Sequence, residues 1–232
     1  MHPTKKTARV AGLLYPLMGI PAVFSLIYLP SKLIVPRNAA ATANNILASQ
    51  MLFRLGIVAE LIAAVFFLLL AMALYRLLSG VNKSYARLMV GLVLVSVAVT
   101  FANVLNNIAA LTLFRGADYL SVFDKPQRDA LAMLFLGLSG QGHAVNNIFW
   151  GLWLLPFGLL VMSSRFLPRI LGPLLIINGF AYVAASLTSL LFPSYTNVVF
   201  PVIMPALLGE LWIMLWLLIK GVKVQPLVAK AS

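Results

Sequence analysis

The sequence has 232 residues, of which 62% are apolar and 9% are charged, and its mean hydropathy is +1.01. Ordinary globular chains are about 45–50% apolar and about 25% charged, so this composition excludes a soluble domain and predicts a multi-pass membrane protein. Seventeen Lys and Arg residues stand against five Asp and Glu, but they lie between and beside long apolar runs, which favours lipid headgroups over nucleic acid as their partners.

Six apolar runs are long enough to cross a bilayer, which takes about 20 residues. They are predicted at residues 8–29, 53–78, 85–114, 130–162, 170–191 and 200–219. Pro16 and Pro21 are expected to kink the first span, and residues 30–36 are expected to form an irregular connection. The predicted fold is therefore all-α, a polytopic transmembrane bundle of six helices that forms one domain over residues 1–232.

The connections between the spans differ in character. Asn38 is a good N-cap for residues 39–50, an alanine-rich stretch too polar to span, so a short surface helix is expected between spans one and two. The turn at residues 79–83 is short enough to make spans two and three antiparallel neighbours. Residues 115–128 are predicted to be the most charged loop.

Glycines and a proline mark the fourth span, which is longer than a bilayer requires. The expected bends are at Gly137, Gly140, Gly142 and Pro156. The pair Gly140 and Gly142, like the pair Gly12 and Gly19, is also expected to permit close helix packing.

Lys and Arg are distributed unevenly between the two ends of the predicted spans. One end holds eleven, namely Lys5, Lys6, Arg9, Arg76, Lys83, Arg87, Arg165, Arg169, Lys220, Lys223 and Lys230. The other end holds six, namely Lys32, Arg37, Arg54, Arg115, Lys125 and Arg128. Because cytoplasmic loops carry the excess of Lys and Arg, both termini are predicted to be cytoplasmic.

Four segments occur together in a recognisable combination. They are RVAGLLY at 9–15, AAATANNILASQMLFRLGIVAEL at 39–61, FLPRILG at 166–172 and GELWIMLWLLIKGV at 209–222. With them the chain resembles the bacterial integral-membrane family called domain of unknown function 4386, over nearly its whole length. The resemblance implies a six-span protein of the bacterial cytoplasmic membrane with no established activity, and it carries over no catalytic residue.

Polar residues inside spans three and four repeat one spacing. They are Asn103, Asn106 and Asn107 in span three, and His143, Asn146 and Asn147 in span four. The i, i+3, i+4 spacing places each trio on one helical face, and the same faces continue through Ser96, Thr100, Ser139 and Trp150. The two polar faces are therefore expected to oppose each other.

Relative depths follow from counting residues to the basic residue at the inner end of each span. At about 1.5 Å of rise per residue, Glu60 and Asn103 lie roughly 24 Å, Asn147 roughly 27 Å and His143 roughly 33 Å from that end. Glu210 and Asn178 lie roughly 13–15 Å from it, near the midplane. These depths predict a polar funnel that opens outward, with His143 at its rim.

The predicted ligand-binding residues are Glu60, Asn103, Asn107, His143, Asn147 and Glu210. A carboxylate in hydrocarbon must be protonated, paired or wetted, so the two glutamates are functional hypotheses. The favoured function is binding or transport of a small polar or cationic ligand through an outward-facing polar pocket. The alternative is a non-catalytic structural or regulatory protein whose asparagines hold the helices together. Ranked last is an intramembrane enzyme with His143 as base and Glu60 orienting it.

Other chemistry is limited by residue types. The chain has no cysteine, which excludes disulfides, thiolate metal sites and cysteine nucleophiles. His143 is the one histidine apart from the terminal His2, which excludes haem held by two helix histidines. No cofactor, metal or catalytic residue is predicted. The expected partners are the lipid bilayer, a small-molecule ligand and, for a wider pathway, a second copy of the chain.

Overall fold

The computed structural model describes residues 5–222, apart from the side chains at 197, 200 and 207. His2, Lys223 and Lys230, which enter the predictions above, lie outside these residues. The described part is helical and contains no strand, and six helices are long and apolar enough to cross a membrane. These spans are Lys5–Leu33, Gln50–Leu78, Lys83–Arg115, Lys125–Ser163, Leu171–Leu191 and Pro201–Ile219. The all-α prediction is confirmed, and the chain is a multi-pass membrane protein.

Span one is continuous but changes its helical geometry near the end. Helix α1 (Lys5–Val23) runs into a π-helical turn (Phe24–Tyr28) and then into α2 (Leu29–Leu33). The prediction of an irregular connection from residue 30 is therefore wrong over its first four residues. Pro30 remains helical directly after the π-helical turn, because neighbouring groups in a membrane span can satisfy the carbonyl that its missing N–H leaves free.

Helix α3 (Ala39–Ala48) is the predicted short helix, ending two residues earlier than expected. The Asn38 side chain accepts a hydrogen bond from the Ala41 N–H (2.9 Å), which confirms the predicted N-cap. Ala43 and Ile46 are fully buried, so α3 is packed onto the bundle. The α3 end of the bundle is the end at which spans one and three finish and spans two and four begin.

Spans two and three are α4 (Gln50–Leu78) and α5 (Lys83–Arg115), which pack along each other as predicted. The loop after α5 is shorter than predicted, because α6 (Lys125–Leu152) begins five residues before the expected start of span four. Asp124 and Gln127 form a capping box in which each side chain accepts the other's backbone N–H, at 2.8 and 3.0 Å. The sequence Asp-Lys-Pro-Gln therefore begins a helix, although its charged residues led to the prediction of a loop.

Span four breaks at Trp153, between α6 and α7 (Leu154–Ser163). Pro156 lacks the N–H that would bond the carbonyl of Leu152. A proline therefore interrupts the helix in the turn before it, which is where the break lies. Helix α6 runs unbroken past Gly137, Gly140 and Gly142, and the bends expected at these glycines stay a prediction.

Two of the four glycines expected at close contacts lie at such contacts. A Cβ at Gly142 would overlap the Asn103 amide, and one at Gly12 would overlap the backbone of span six at Leu218. A Cβ at Gly140 or Gly19 would meet nothing within 4 Å. The packing prediction is therefore confirmed for the first two and wrong for Gly140 and Gly19.

The last two spans are α8 (Leu171–Leu191) and the pair α9 (Thr196–Leu207) and α10 (Gly209–Ile219), which meet at a break at Leu208. The six spans form a ring in chain order, since each packs against the next and α10 packs against α1. At the α3 end the ring is looser, because there α9 packs against α8 while α2 packs against α3 and α4.

Two apolar clusters fill the ring. The larger lies away from the α3 end and contains Phe67, Trp153 and Phe157, whose rings pack at centroid distances of 5.1 and 5.4 Å. The smaller, called the α3-end cluster, joins α3 to the ends of spans one to four through Leu29, Leu33, Ala43, Ile46, Phe53, Ala110, Leu111, Leu113, Phe114, Ala132 and Leu136. Between the two clusters lie the polar residues of spans two, three and four.

Candidate functional site

The polar faces of spans three and four oppose each other as predicted. The Asn103 amide donates to the carbonyl of Ser139 (3.0 Å) and lies 3.4 Å from Nε2 of His143. Asn106 donates to the Asn103 side-chain oxygen (3.1 Å). The close approach of the two helices depends on Gly142, because any side chain there would occupy the position of the Asn103 amide.

Asn146 makes the second polar contact between these spans. Its amide donates to the Thr100 hydroxyl (2.9 Å) and to the Ser96 carbonyl (3.3 Å), and the residue is 1% exposed. Asn147, the predicted ligand-binding neighbour, is half-buried and makes no hydrogen bond within the described residues. The structure therefore brings Asn146 rather than Asn147 into the interface, because position 146 continues the face of Ser139 and His143.

Glu60 and His143 lie side by side. Oε1 of Glu60 is 3.6 Å from Nε2 of His143, within ion-pair range but longer than a hydrogen bond. Glu60 is 6% exposed, and within residues 5–222 its Oε1 has no hydrogen-bond partner. The prediction that His143 lies at a rim above Glu60 is wrong. Residue counting assumes straight, equally tilted helices, whereas span four is 39 residues long and broken at Trp153.

A cavity of about 270 Å³ opens beside this pair. Its polar wall consists of Ser25, Glu60, Asn107, Ser139 and His143, and its remaining wall is mainly aliphatic. The volume is near the lower end of the roughly 300–1,000 Å³ typical of small-molecule sites. The cavity thus unites predicted residues of spans two, three and four.

Span one contributes a wall that the sequence did not predict. Ser25 and Leu26, both in the π-helical turn, line the cavity together with Leu29 and Pro30. Span one can come this close because span two carries Gly56, where a side chain would overlap that of Leu29. Isolated π-helical turns are frequent at functional sites, and Pro21 and Pro30 on either side were the available sequence signal.

The cavity wall extends toward the α3 end. Leu29, Leu33, Phe53 and Leu136 line it and also belong to the α3-end cluster. This part of the wall is apolar, and the outward opening of the predicted polar funnel stays a prediction.

The predicted residue Glu210 lies apart from the cavity, at the break in span six. The Asn178 amide fits between the two backbone groups that an unbroken helix would join: it donates to the Ala206 carbonyl (3.2 Å) and accepts from the Glu210 N–H (3.3 Å). Asn178 thus replaces the missing hydrogen bond between residues 206 and 210.

Aromatic side chains lie between the two glutamates. The Trp150 ring packs against His143 (centroids 6.5 Å apart) and against Tyr182 (6.2 Å). Tyr182 lies on α8, four residues after Asn178, which contacts the break in span six. The predicted set therefore divides into Glu60, Asn107 and His143 at the cavity, Asn103 beside them, and Asn147 and Glu210 elsewhere.

The side chains at the cavity limit its chemistry. Within residues 5–222, no three His, Cys, Asp or Glu side chains come close enough to hold a metal ion. The hydrogen-bonding contact of the His143 ring in this part of the chain is with Asn103, not with a hydroxyl nucleophile. The site offers the Glu60 carboxyl group, which has an oxygen free to accept a hydrogen bond.

A family model described as Domain of unknown function (DUF4386) matches residues 10–221. The chain belongs to the DUF4386 family. This confirms the resemblance found in the sequence. No curated protein and no solved structure matches the chain. The role of the cavity in this DUF4386 protein is therefore argued from its geometry.

Proposed function

We propose that this protein binds a small organic cation in the cavity beside Glu60. The observation that carries the proposal is a buried carboxylate that faces the cavity with one oxygen unbonded. Burying such a group costs several kcal/mol unless a cation or hydrogen-bond donor pairs with it. A positively charged ligand would supply that partner.

The cavity wall favours an organic cation over a bare metal ion. Ca²⁺ takes about six to eight oxygen ligands and Mg²⁺ about six, whereas this wall offers one carboxylate, an amide and two hydroxyls. The aliphatic remainder of the wall can instead cover carbon atoms of a ligand. Asn107, which makes no hydrogen bond among the described residues, is available to orient a donor.

The proposal includes a location, the bacterial cytoplasmic membrane with both termini in the cytoplasm. Its support is the excess of Lys and Arg away from the α3 end, which orients that end outward. The cavity then belongs to the outer half of the bundle. The bilayer is the surrounding partner, and binding in this cavity needs no second copy of the chain, although transport through a wider pathway would.

The test is a thermal-shift measurement on purified protein with choline and with its uncharged isostere 3,3-dimethylbutan-1-ol. Methylammonium and guanidinium extend the panel. A ligand at about 100 times its Kd stabilises by about 2.7 kcal/mol, which such a measurement resolves. We expect at least one cation to raise the melting temperature of the natural protein and the neutral alcohol to leave it unchanged.

Glu60→Gln and Glu210→Gln form the matched pair of variants, since both neutralise a carboxyl inside the bundle. The shift should vanish in Glu60→Gln and persist in Glu210→Gln. If no cation shifts the natural protein, or if the shift survives in Glu60→Gln, cation binding at this site is refuted.

A structural function is the second candidate, and the contacts between spans three and four favour it for that region. Asn103 and Asn146 each donate to a backbone carbonyl of the opposing helix, as interhelical asparagines do. This function leaves the unbonded oxygen of Glu60 and the adjoining cavity unexplained. The two candidates therefore separate on whether Glu60→Gln changes ligand binding or only packing.

A further inference from the structure

The span-one wall of the cavity is almost entirely apolar. Leu26, Leu29, Leu33 and Ile34 line it, and Ser25 is the one polar side chain that span one adds. The acidic group comes from span two and faces His143 of span four. A ligand that fills this space would meet charge on one side and hydrocarbon on the other.

The cavity also has an open flank at Gly140. Gly140 lines the cavity and is exposed, and a Cβ there would meet nothing within 4 Å. Among the described elements, α2 packs against α3 and α4, and α9 packs against α8, so the α3-end part of span one packs on span two and α3. The cavity wall toward the α3 end is apolar.

The open flank lies at the depth of the acyl chains. Glu60 is ten residues into span two, roughly 15 Å along the helix from Gln50. The 29 residues of α4 are roughly 43 Å long, roughly 13 Å more than the hydrocarbon thickness, so Glu60 lies within the hydrocarbon in the half nearer the α3 end. A molecule entering past Gly140 would therefore come from the lipid phase.

We propose that the ligand is an amphiphilic amine, a cationic group on a hydrocarbon chain, which enters laterally from the bilayer between spans one and four. Its ammonium group pairs with Glu60, and its chain lies against Leu26, Leu29 and the neighbouring aliphatic wall. This inference rests on the proposed function and specifies both the chemical class of the ligand and its route.

The test uses protein in nanodiscs and three probes of equal charge: methylammonium, butylammonium and octylammonium. Octanol serves as the uncharged probe of the longest chain, and empty nanodiscs correct for partition into lipid. We expect octylammonium to bind at least about tenfold more tightly than methylammonium, a difference of about 1.4 kcal/mol. Octanol should show no saturable binding.

Gly140→Trp and Gly137→Trp are the matched variants for the route. Both glycines are exposed on α6, and both have open space at the position of a Cβ, but only Gly140 lines the cavity. Gly140→Trp should slow the association of octylammonium about tenfold or more, while Gly137→Trp keeps the natural association rate, because a blocked entry route changes the rates of binding. Melting temperatures check that both variants fold, and Gly140→Leu replaces Gly140→Trp if the latter does not.

The failures of the two proposals differ. If methylammonium binds as tightly as octylammonium, depends on Glu60 and ignores Gly140→Trp, lateral entry of an amphiphile is overturned while cation binding stands. If octylammonium binding is saturable but unchanged in Glu60→Gln, cation recognition by Glu60 is overturned as well.

Discussion

The two glutamates inside this bundle occupy contrasting surroundings. Glu210 lies at a broken helix, where Asn178 bridges the separated backbone groups. Glu60 lies in the unbroken helix α4, faces a cavity and has an oxygen without a hydrogen-bond partner among the described residues. The sequence ranks the two alike, because both are acids in apolar runs.

The contrast shows that an intramembrane polar residue needs a local explanation before a functional one. At the span-six break the polar groups complete each other's hydrogen bonds, as a helix interrupted inside a membrane requires. At Glu60 the helix is intact and needs no such repair. The Glu60 oxygen that is free to accept a hydrogen bond is therefore the feature that indicates a binding site at the cavity.

Asn178→Leu should have the largest effect on stability. It would leave the Ala206 carbonyl and the Glu210 N–H without partners, at a cost of about 1–3 kcal/mol for each buried group. Unfolding by SDS titration would measure the loss. Ile177→Leu, at an exposed neighbouring position on α8, is the control. A stability equal to that of the control would show that Asn178 does not repair the break.

Gly142→Leu should cause the second largest loss of stability. Its side chain would occupy the place of the Asn103 amide, and overpacking of this kind costs about 1–3 kcal/mol. Gly140→Leu, two residues away and facing open space, should change the free energy of unfolding by less than about 0.5 kcal/mol. Equal losses of stability in the two variants would contradict both the close helix contact at Gly142 and the open space at Gly140.

A comparison of Asn146→Leu with Asn147→Leu tests the polar contacts between spans three and four. Loss of the hydrogen bonds to Thr100 and Ser96 should cost about 0.6 kcal/mol for each, the average for hydrogen bonds between membrane helices, and at most about 1.7 kcal/mol for each. Asn147→Leu should be neutral, since no hydrogen bond is lost. A larger loss at Asn147 would reverse the assignment of the interface.

Glu60→Gln should cause the smallest loss of stability. The Glu60 side chain accepts no hydrogen bond in the described part of the protein, so the variant loses none and removes a buried charge; its free energy of unfolding should equal or exceed that of the natural chain. Thermal melting in detergent without added cations measures this. A loss of more than about 2 kcal/mol would make Glu60 a structural residue like Asn178.

Much of the fold can be predicted from this sequence because bilayer thickness dictates span length and helical spacing dictates facing residues. The six spans, the Asn38 cap and the opposition of Asn103 to His143 all follow from these two rules. It is harder to predict which asparagine of a trio enters the helix interface, since residues 146 and 147 differ by only one position on the helix.

The cavity and the repaired break could not be predicted, for physical reasons. The level of His143 relative to Glu60 depends on helix tilt and on the break at Trp153, which residue counting ignores. The cavity depends on the π-helical turn and on the approach of span one at Gly56. The pairing of Asn178 with the backbone of residues 206 and 210 requires knowing where span six is interrupted.

Charge selectivity at Gly140 tests the central claim most directly. The chain has no cysteine, so Gly140→Cys places a single thiol at the cavity wall. In detergent, its modification rate would be measured with a cationic trimethylammonium methanethiosulfonate and with an anionic sulfonate analogue. Adding Glu60→Gln should lower the cation-to-anion rate ratio by about tenfold or more, equivalent to about 1.4 kcal/mol, whereas adding Glu210→Gln should leave it unchanged. A ratio unaffected by Glu60→Gln would contradict the account.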